Sequence, residues 1–492
     1  MDVAVVVLYL AAMIAFGFWG RRRTVDRTDF LVAGRRLGPW LYSGTMAAVV
    51  LGGASTIGGV GLGYQYGLSG MWLVVAIGSG ILVLSLAFSG RIQRLGVFTV
   101  GQMLELRYGT GLGAPSGIVM WAYTLMLAVT STIAYATIFG VLLGLPRVPS
   151  ILIGGAVVVV YSTLGGMWSV TLTDFVQFLI KTVGIFLVLL PVVLWRAGGW
   201  EGLVAAVPAD ALSLTTIGGG TIVTYFVTYG FGLLIGQDIW QRVFTARSPG
   251  VARWAGFGAG VYCLAYGVVG ALIGTAAQVV VPGLAERDDA FAAVVEAALP
   301  PVLAGLVLAA ALSAVMSTSS GALLATATVF DQDLLAALRR RRAARGTGAT
   351  GPDGGADGDT GAGPHDELSG NRWAVAVFGV VMIGIACLLR DVVAALTLAY
   401  GILVGGLLVP VLGGLLWRRA TRAGALAAMG VGTVVTLGTM LVLGDLYANE
   451  PVFAGLGSGL VAFVVVSLAT RPVDDGVRTG WDRRVGATGD RG

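Results

Sequence analysis

A run of small residues and hydroxyls, AAALSAVMSTSSGALLA, lies at residues 309–325 in the middle of a long apolar segment. On a helix, at 100° per residue, its small and hydroxylated members share one face: Ala310, Ser313, Ala314, Ser317, Thr318 and Gly321. Such a face predicts a packing seam, because small residues line helix contacts in membranes. The adjacent hydroxyls of Ser317 and Thr318 also suit a small hard cation, which takes oxygen ligands, provided that a partner offers carbonyls.

A partner of this kind is predicted in the segment TMAAVVLGGASTIGGVGLGYQYG, which begins at Thr45. Six glycines lie within residues 52–63. Each glycine weakens a regular helix by about 1 kcal/mol relative to alanine, so we expect a break near Gly52 and Gly53. Broken backbone at membrane depth is tolerated only where it is buried in protein or lines a cavity, and its carbonyls are then free to bind an ion. Tight packing alone is the alternative explanation of these glycines.

A second interruption is predicted at Thr228–Gly232, which leads into the sequence GQDIWQR. Two interrupted helices at corresponding positions indicate an inverted-repeat transporter with its site near the middle of the membrane. Tyr229 in this second break is a candidate solute contact, although an aromatic ring there also fits plain packing.

Three charged residues lie in or near apolar segments, where ionisable groups are costly and often functional. Asp174 is expected near the start of a helix, either as its N-terminal cap or on an ion path. Lys181 is expected to extend its amine towards the membrane surface. Asp238 is expected at the interface, near Arg242.

The whole composition predicts an all-α integral membrane protein. Hydrophobic residues make up 56% of the 492 residues and charged residues 12%, with a mean hydropathy of +0.87. Apolar runs of about twenty residues predict about thirteen spans. These are 3–20, 40–66, 71–90, 115–144, 150–168, 174–196, 215–237, 253–280, 297–330, 373–389, 392–417, 422–444 and 452–470.

The distribution of basic residues predicts the orientation of these spans. With the N-terminus outside, 26 of the 31 Lys and Arg fall in cytoplasmic segments and four in external loops. This asymmetry matches the positive-inside rule, so we expect a multi-pass protein of the cell membrane with a cytoplasmic C-terminus. The basic net charge of +5 is then explained by topology rather than by nucleic-acid binding. Two cysteines and the single His365 support neither a metal site nor a His-based catalytic centre.

The spans divide the chain into five predicted parts. The N-terminal part, 1–39, is one helix and a cytoplasmic loop; the first repeat occupies 40–196, and the second occupies 215–417. Within the second repeat, the Gly- and Asp-rich segment 339–370 is expected to be a disordered cytoplasmic loop. Two further helices occupy 418–470, and 471–492 is a cytoplasmic tail.

Six motifs in order resemble those of the sodium:solute symporter family, whose members include sodium-coupled sugar, proline, pantothenate and iodide carriers. The motifs are AGRRLG at 33–38, GGASTIGGVGLGYQYG at 52–67, GGMWSVTLTDFVQF at 165–178, GQDIWQRVFTARS at 236–248, SAVMSTSSGALLATATV at 313–329 and LLWRRATRAG at 415–424. The resemblance implies a leucine-transporter-type fold, a five-plus-five inverted repeat with flanking helices.

The same resemblance implies a sodium site. In that family, backbone carbonyls of the second and ninth helices and two neighbouring hydroxyls bind Na⁺. The matching positions here are Ala48, Leu51, Ala314, Ser317 and Thr318. Asp174 matches the aspartate that family members place on the inward sodium path.

The solute end departs from the better-known members. Sugar and proline carriers have an amide or acid side chain in the first break, whereas this chain has only apolar, Gly and Ser residues at 49–55. This argues against sugar and proline. It favours a carboxylate or amino-acid-like solute held by backbone N–H groups around Gly53 and by Ser55 or Thr56, because the N-terminus of a half-helix attracts an anion.

The sequence therefore predicts a sodium-coupled importer of a small solute, with Na⁺ as coupling ion, the lipid bilayer as surroundings and no obligatory protein partner. Two alternatives stay open. One is the same fold coupled to protons or uncoupled, in which case Ser317 and Thr318 only pack. The other is a membrane sensor, which would require an appended signalling domain. An enzyme would require His, Cys or paired acids at membrane depth, and no such constellation is present in the sequence.

The predicted topology is tested by labelling. A cysteine placed at Thr360 should react with a membrane-impermeant thiol reagent only after the cells are opened, because the arginine distribution places this loop in the cytoplasm. Labelling of the same cysteine in intact cells would contradict the orientation.

Overall fold

The protein is described by a computed structural model over residues 2–346, 364–389, 392–444 and 448–486. The regular secondary structure of these residues is helical. Apolar side chains cover most of the surface of the long helices, so these helices pack against one another or face lipid. This agrees with the predicted all-α membrane class.

Twenty-five α-helices are assigned within the described ranges. The first twelve are α1 (Asp2–Arg23), α2 (Arg27–Val32), α3 (Pro39–Val50), α4 (Gly59–Tyr66), α5 (Trp72–Val83), α6 (Ser89–Arg94), α7 (Val100–Tyr108), α8 (Gly113–Ile133), α9 (Tyr135–Leu143), α10 (Arg147–Lys181), α11 (Leu190–Arg196) and α12 (Gly199–Ala206). The others are α13 (Gly219–Tyr225), α14 (Phe231–Leu233), α15 (Gln237–Thr245), α16 (Pro249–Val280), α17 (Ala290–Ala298), α18 (Pro301–Val329), α19 (Ala336–Gly346), α20 (Pro364–Leu388), α21 (Val392–Leu403), α22 (Val409–Leu416), α23 (Arg422–Leu443), α24 (Glu450–Ala469) and α25 (Asp475–Val485).

Ten helical runs among the described residues are long and apolar enough to cross a membrane, or eleven if a bent pair counts as one span. Three runs are much longer than one crossing needs: Ala54–Arg94 with 41 residues, Arg147–Arg196 with 50 and Pro301–Arg342 with 42. Gly166 interrupts the second run with φ +52° and ψ −134°, a conformation that favours glycine. The thirteen spans expected from the sequence remain a prediction.

The first predicted break is present between α3 and α4. Helix α3 ends at Val50, and Leu51 leaves the helical region with φ −95° and ψ 68°. The chain becomes helical again as a wide π-type turn, Ala54–Gly58, which continues into α4. The helix is lost at Leu51 and Gly52 and resumes from Gly53, next to the two successive glycines that predicted the break.

The second break lies later than predicted. Residues 226–230 form a π-helical turn that continues into α14, and the helix stops only at 234–236. The two parts meet at 44°. The wide turn includes Gly230 and α14 includes Gly232, so neither glycine ends the helix. The chain turns at Gly236, which precedes α15 in an extended conformation.

Helix α18, which carries the small-residue face, is central to the molecule. It lies in the run Pro301–Arg342, whose most apolar 18-residue stretch is 83% buried inside the protein. It packs against α1, α3, α8 and α10. Small side chains permit these close approaches: a Cβ added at Gly321 would lie 2.6 Å from Val49 Cγ2.

The segment expected to be disordered, 339–370, begins and ends in helix. Arginine and alanine favour helix, so α19 continues to Gly346. Helix α20 begins at Pro364, a residue favoured in the first helical turn. The intervening residues 347–363, which include most of the predicted loop, lie outside the described residues.

The break imposes a steric requirement at Gly52 that a matched pair of variants tests. A Cβ at Gly52 would lie 2.5 Å from Thr318 Oγ1 and 2.9 Å from Thr318 Cβ, whereas a Cβ at Gly58 meets nothing within 4 Å. Gly52→Ala should therefore lower the free energy of unfolding by about 1–3 kcal/mol. Gly58→Ala should leave it unchanged or raise it by up to about 1 kcal/mol, because alanine is the better helix former. Thermal unfolding of the detergent-purified proteins measures both, and equal melting temperatures would contradict the contact.

Candidate cation and solute sites

The first break leaves the last four carbonyls of its leading half-helix beyond regular helical bonding. These are the carbonyls of Ala48, Val49, Val50 and Leu51. The Ser317 hydroxyl donates to Ala48 O at 2.8 Å, and the Thr318 hydroxyl donates to Val49 O at 2.6 Å. The Ser55 hydroxyl donates to Val50 O at 3.2 Å. The small-residue face predicted on α18 thus packs against the predicted break, and its hydroxyls donate to the carbonyls there.

Lys181 supplies the remaining donor, which corrects the expectation that its amine reaches the membrane surface. Its side chain is fully buried. Lys181 Nζ donates to Ala48 O at 3.1 Å, to Leu51 O at 3.3 Å and to Ser317 Oγ at 3.4 Å. The ammonium has three N–H groups, and each of them has an oxygen acceptor here.

Asp174 is not a helix cap. It lies within α10, eight residues after the kink at Gly166, and its side chain is fully buried. Its Oδ2 accepts a hydrogen bond from Thr45 Oγ1 at 2.5 Å and forms an ion pair with Arg242 Nη2 at 3.1 Å. The pair joins α10 to the half-helices α3 and α15, one from each break. Among the described residues, Asp174 Oδ1 and Arg242 Nε have no hydrogen-bond partner.

Asp238 is also buried rather than interfacial, with 2% of its surface exposed. It lies in the first turn of α15, where a carboxylate is favoured by the helix dipole, and its Oδ1 accepts a hydrogen bond from Tyr123 at 3.0 Å. Asp238 lines a small cavity of about 30 Å³ at the first break. Gly53, Ser55 and Tyr400 line the same cavity.

A larger cavity of about 220 Å³ adjoins the small one, because Ala54 and Leu396 line both. Tyr229 lines the larger cavity, and its ring meets Tyr400 edge to face at 5.2 Å between centroids. The Tyr229 and Tyr400 pair therefore spans the two cavities.

Thr56 does not join this group. Its hydroxyl pairs with that of Tyr266 on α16 at 2.7 Å, and it lines neither cavity. Of the four solute contacts expected from the sequence, Gly53, Ser55 and Tyr229 face the cavities and Thr56 faces α16.

Sequence reasoning undervalued Lys181 and missed the role of Arg242. The signal for Lys181 was present, because it is the only lysine of the chain and lies seven residues after Asp174, on the same face of one helix. Tyr400 and Tyr123 carried no comparable signal, since an aromatic residue in an apolar helix is ordinary packing.

Comparison with known proteins agrees with this architecture. A model of the sodium:solute symporter family matches residues 30–351. The high-affinity proline transporter of Bacillus subtilis is 27% identical over 478 residues, which cover 93% of this chain and 96% of that protein. A sodium/proline symporter of Staphylococcus aureus is 24% identical, with 95% and 92% covered.

Solved structures show the same fold. A Na⁺-coupled sialic acid symporter superimposes with a TM-score of 0.79 at 18% identity, covering 96% of this chain and 98% of that chain. A nucleobase-cation-symport-1 family transporter superimposes with a TM-score of 0.57 at 17% identity, covering 94% and 99%. The fold is thus of the predicted leucine-transporter type. The family model covers more than half of the chain, so this protein belongs to the sodium:solute symporter family, multi-pass membrane carriers of small solutes with sodium as the coupling ion, and it is a transporter rather than an enzyme.

Proposed function

We propose that this carrier imports a small amino-acid-like solute with sodium by alternating access, and that both bind at the first break. The observation that carries the proposal is the meeting of the α18 hydroxyls with the free carbonyls of α3, at 2.6 and 2.8 Å. Oxygen atoms converging in a buried position are the ligands that a hard cation takes.

The proposed sodium ligands are the carbonyls of Ala48, Leu51 and Ala314 and the hydroxyls of Ser317 and Thr318. Ala314 O lies within 3.0 Å of Ser317 Oγ and 3.4 Å of Thr318 Oγ1. When a cation takes the hydroxyl oxygens, these two hydroxyls can turn their protons towards Ala314 O or neighbouring carbonyls. Sodium entry down a membrane potential of about 100 mV supplies about 2.3 kcal/mol per charge for solute accumulation.

The proposed solute site is formed by the two cavities. The helix that resumes at Ala54 presents its N-terminus at the small cavity, and such a terminus attracts a carboxylate. Asp238 lines the same cavity with the opposite preference, for an ammonium group. Together they favour a zwitterion over a simple carboxylate. Tyr229 and Tyr400 would contact the apolar part of the solute.

The names of the two relatives, which are proline carriers, support an amino-acid-like solute. The absence of an amide or acid side chain at positions 49–55 argues against an identical way of holding proline. The first experiment is therefore uptake of labelled amino acids, including proline, and of labelled monocarboxylates by proteoliposomes, with a sodium gradient or a choline gradient. We expect an amino acid to accumulate only with sodium. Equal uptake without sodium would favour the proton-coupled or uncoupled alternative.

Removing either hydroxyl oxygen tests the sodium site. Ser317→Ala and Thr318→Val keep the side chains small but each removes a ligand, and a contact to a charged group is worth about 1.5–3 kcal/mol. The sodium concentration for half-maximal uptake should therefore rise about tenfold to a hundredfold.

Ser319→Ala is the matched control for both variants. Its hydroxyl lies on another side of α18 and pairs with Tyr135 at 3.0 Å, so sodium dependence should match the parent. If all three variants match the parent, the hydroxyls only pack, and the sodium site lies elsewhere.

A test of Asp174 must separate the effect of a substitution on transport from its effect on stability. Asp174→Asn leaves the buried Arg242 without its ion partner, and breaking such a pair costs about 3–5 kcal/mol. A double variant, Asp174→Asn with Arg242→Gln, removes both charges and should recover much of the lost melting temperature. If Asp174 lies on the sodium path, uptake by the double variant stays slow although it is stable. Recovery of both properties would assign Asp174 a structural role.

A further inference from the structure

The ammonium of Lys181 lies among atoms proposed as sodium ligands. Two of its three acceptors are the carbonyls of Ala48 and Leu51, and the third is the hydroxyl of Ser317. The distances are 3.1, 3.3 and 3.4 Å, and the side chain is fully buried. A positively charged group with three hydrogen-bond donors is thus held by the oxygens that suit a metal cation.

The ionisable groups near Lys181 do not offer its ammonium another place to bind. Asp174, two turns earlier on α10, and the thiol of Cys263 on α16 are the ionisable groups that interact electrostatically with Lys181. Asp174 is already paired with Arg242 at 3.1 Å. A sodium ion at the same oxygens would lie a few ångströms from the ammonium, and two unit charges this close in a dry site repel strongly.

The choice of side chain supports a role beyond packing. Lys181 is the only lysine of the chain, and every other basic side chain apart from His365 is arginine. An ammonium is a compact charge on a flexible four-carbon stem, whereas a guanidinium is a broad planar fork. The compact group fits between two carbonyls and a hydroxyl, and the flexible stem allows it to leave.

We infer that Lys181 is a tethered cation that competes with sodium for the first break, so that sodium binds only after the ammonium has moved away. This inference rests on the proposed function for the position of the sodium site. In the sodium-free carrier the ammonium keeps the carbonyls of α3 paired, and in the loaded carrier sodium replaces it. The carrier thereby avoids bare carbonyls in either state.

Binding of radioactive sodium to the purified protein in lipid nanodiscs tests the inference without knowledge of the solute. Lys181→Met removes the charge and keeps the length of the side chain, so sodium should bind at least about tenfold more tightly than to the parent. Lys181→Arg keeps a positive charge and should bind no more tightly than the parent. Thr182→Val, at the adjacent residue, is the control and should match the parent.

Two further variants keep the test decisive. Lys181→Gln retains donors for the carbonyls, so it serves if Lys181→Met does not fold, and it should show the same gain in sodium affinity. Adding Ser317→Ala to the neutral variant should abolish the gain in sodium affinity, because the extra sodium binds at this site and Ser317 is one of its proposed ligands.

The outcomes separate the inference from the function on which it rests. Sodium binding of equal strength in the parent and the neutral variants would overturn the competition and leave sodium coupling standing. Absence of sodium binding in the parent and in the neutral variants would overturn both. A gain in the neutral variants that Ser317→Ala does not remove would place sodium elsewhere and would also overturn the inference.

Discussion

The structure depends on one requirement, which is that four backbone carbonyls of α3 find partners in the interior of a membrane protein. An unpaired carbonyl in such surroundings costs several kcal/mol, so the break between α3 and α4 exists only because other groups reach it. Those groups come from three places: hydroxyls of α18, a hydroxyl of the resuming helix and the ammonium at the end of α10. The small residues of α18 follow from this requirement, because a helix must approach closely before its hydroxyls reach another backbone. The glycine at 52 follows from it too, since Thr318 occupies the space of a Cβ.

The partners of these carbonyls are exchangeable, which suits a carrier. Hydroxyl protons rotate, an ammonium on a flexible stem can move, and on our proposal a sodium ion then takes its place. The buried pair of Asp174 and Arg242, together with Thr45, ties the half-helices of both breaks to α10, so direct contacts connect the two breaks. Asp238, in the first turn after the second break, lines the cavity beside the first one. The proposed cation and solute sites therefore share a wall, and the Thr318 side chain, which lines the small cavity, belongs to it.

The sequence was informative where one residue type has one dominant physical effect. Consecutive glycines predicted the first break, and the spacing of small residues predicted which face of α18 meets it. The second break was placed too early because Gly230 is part of a π-helical turn and Gly232 is part of α14, so neither glycine ends the helix. The expectations that Lys181 snorkels and that Asp238 is interfacial were wrong, and of the two alternatives for Asp174 the structure excludes the helix cap, all for a common reason. Each was judged within its own segment, whereas the partner that permits its burial lies on another helix: Arg242 for Asp174, the α3 carbonyls for Lys181 and Tyr123 for Asp238.

The most direct measurement uses the fact that the chain has one lysine. Solid-state magnetic resonance of protein carrying isotope-labelled lysine nitrogen gives a single side-chain signal, and labelled backbone carbonyl carbon reports which carbonyls lie beside it. Without sodium, the account predicts that this nitrogen contacts the carbonyls of Ala48 and Leu51. Added sodium should abolish those contacts and shift the signal, whereas added choline should not. A lysine signal without carbonyl contacts, or contacts that persist when sodium is bound, would contradict the account.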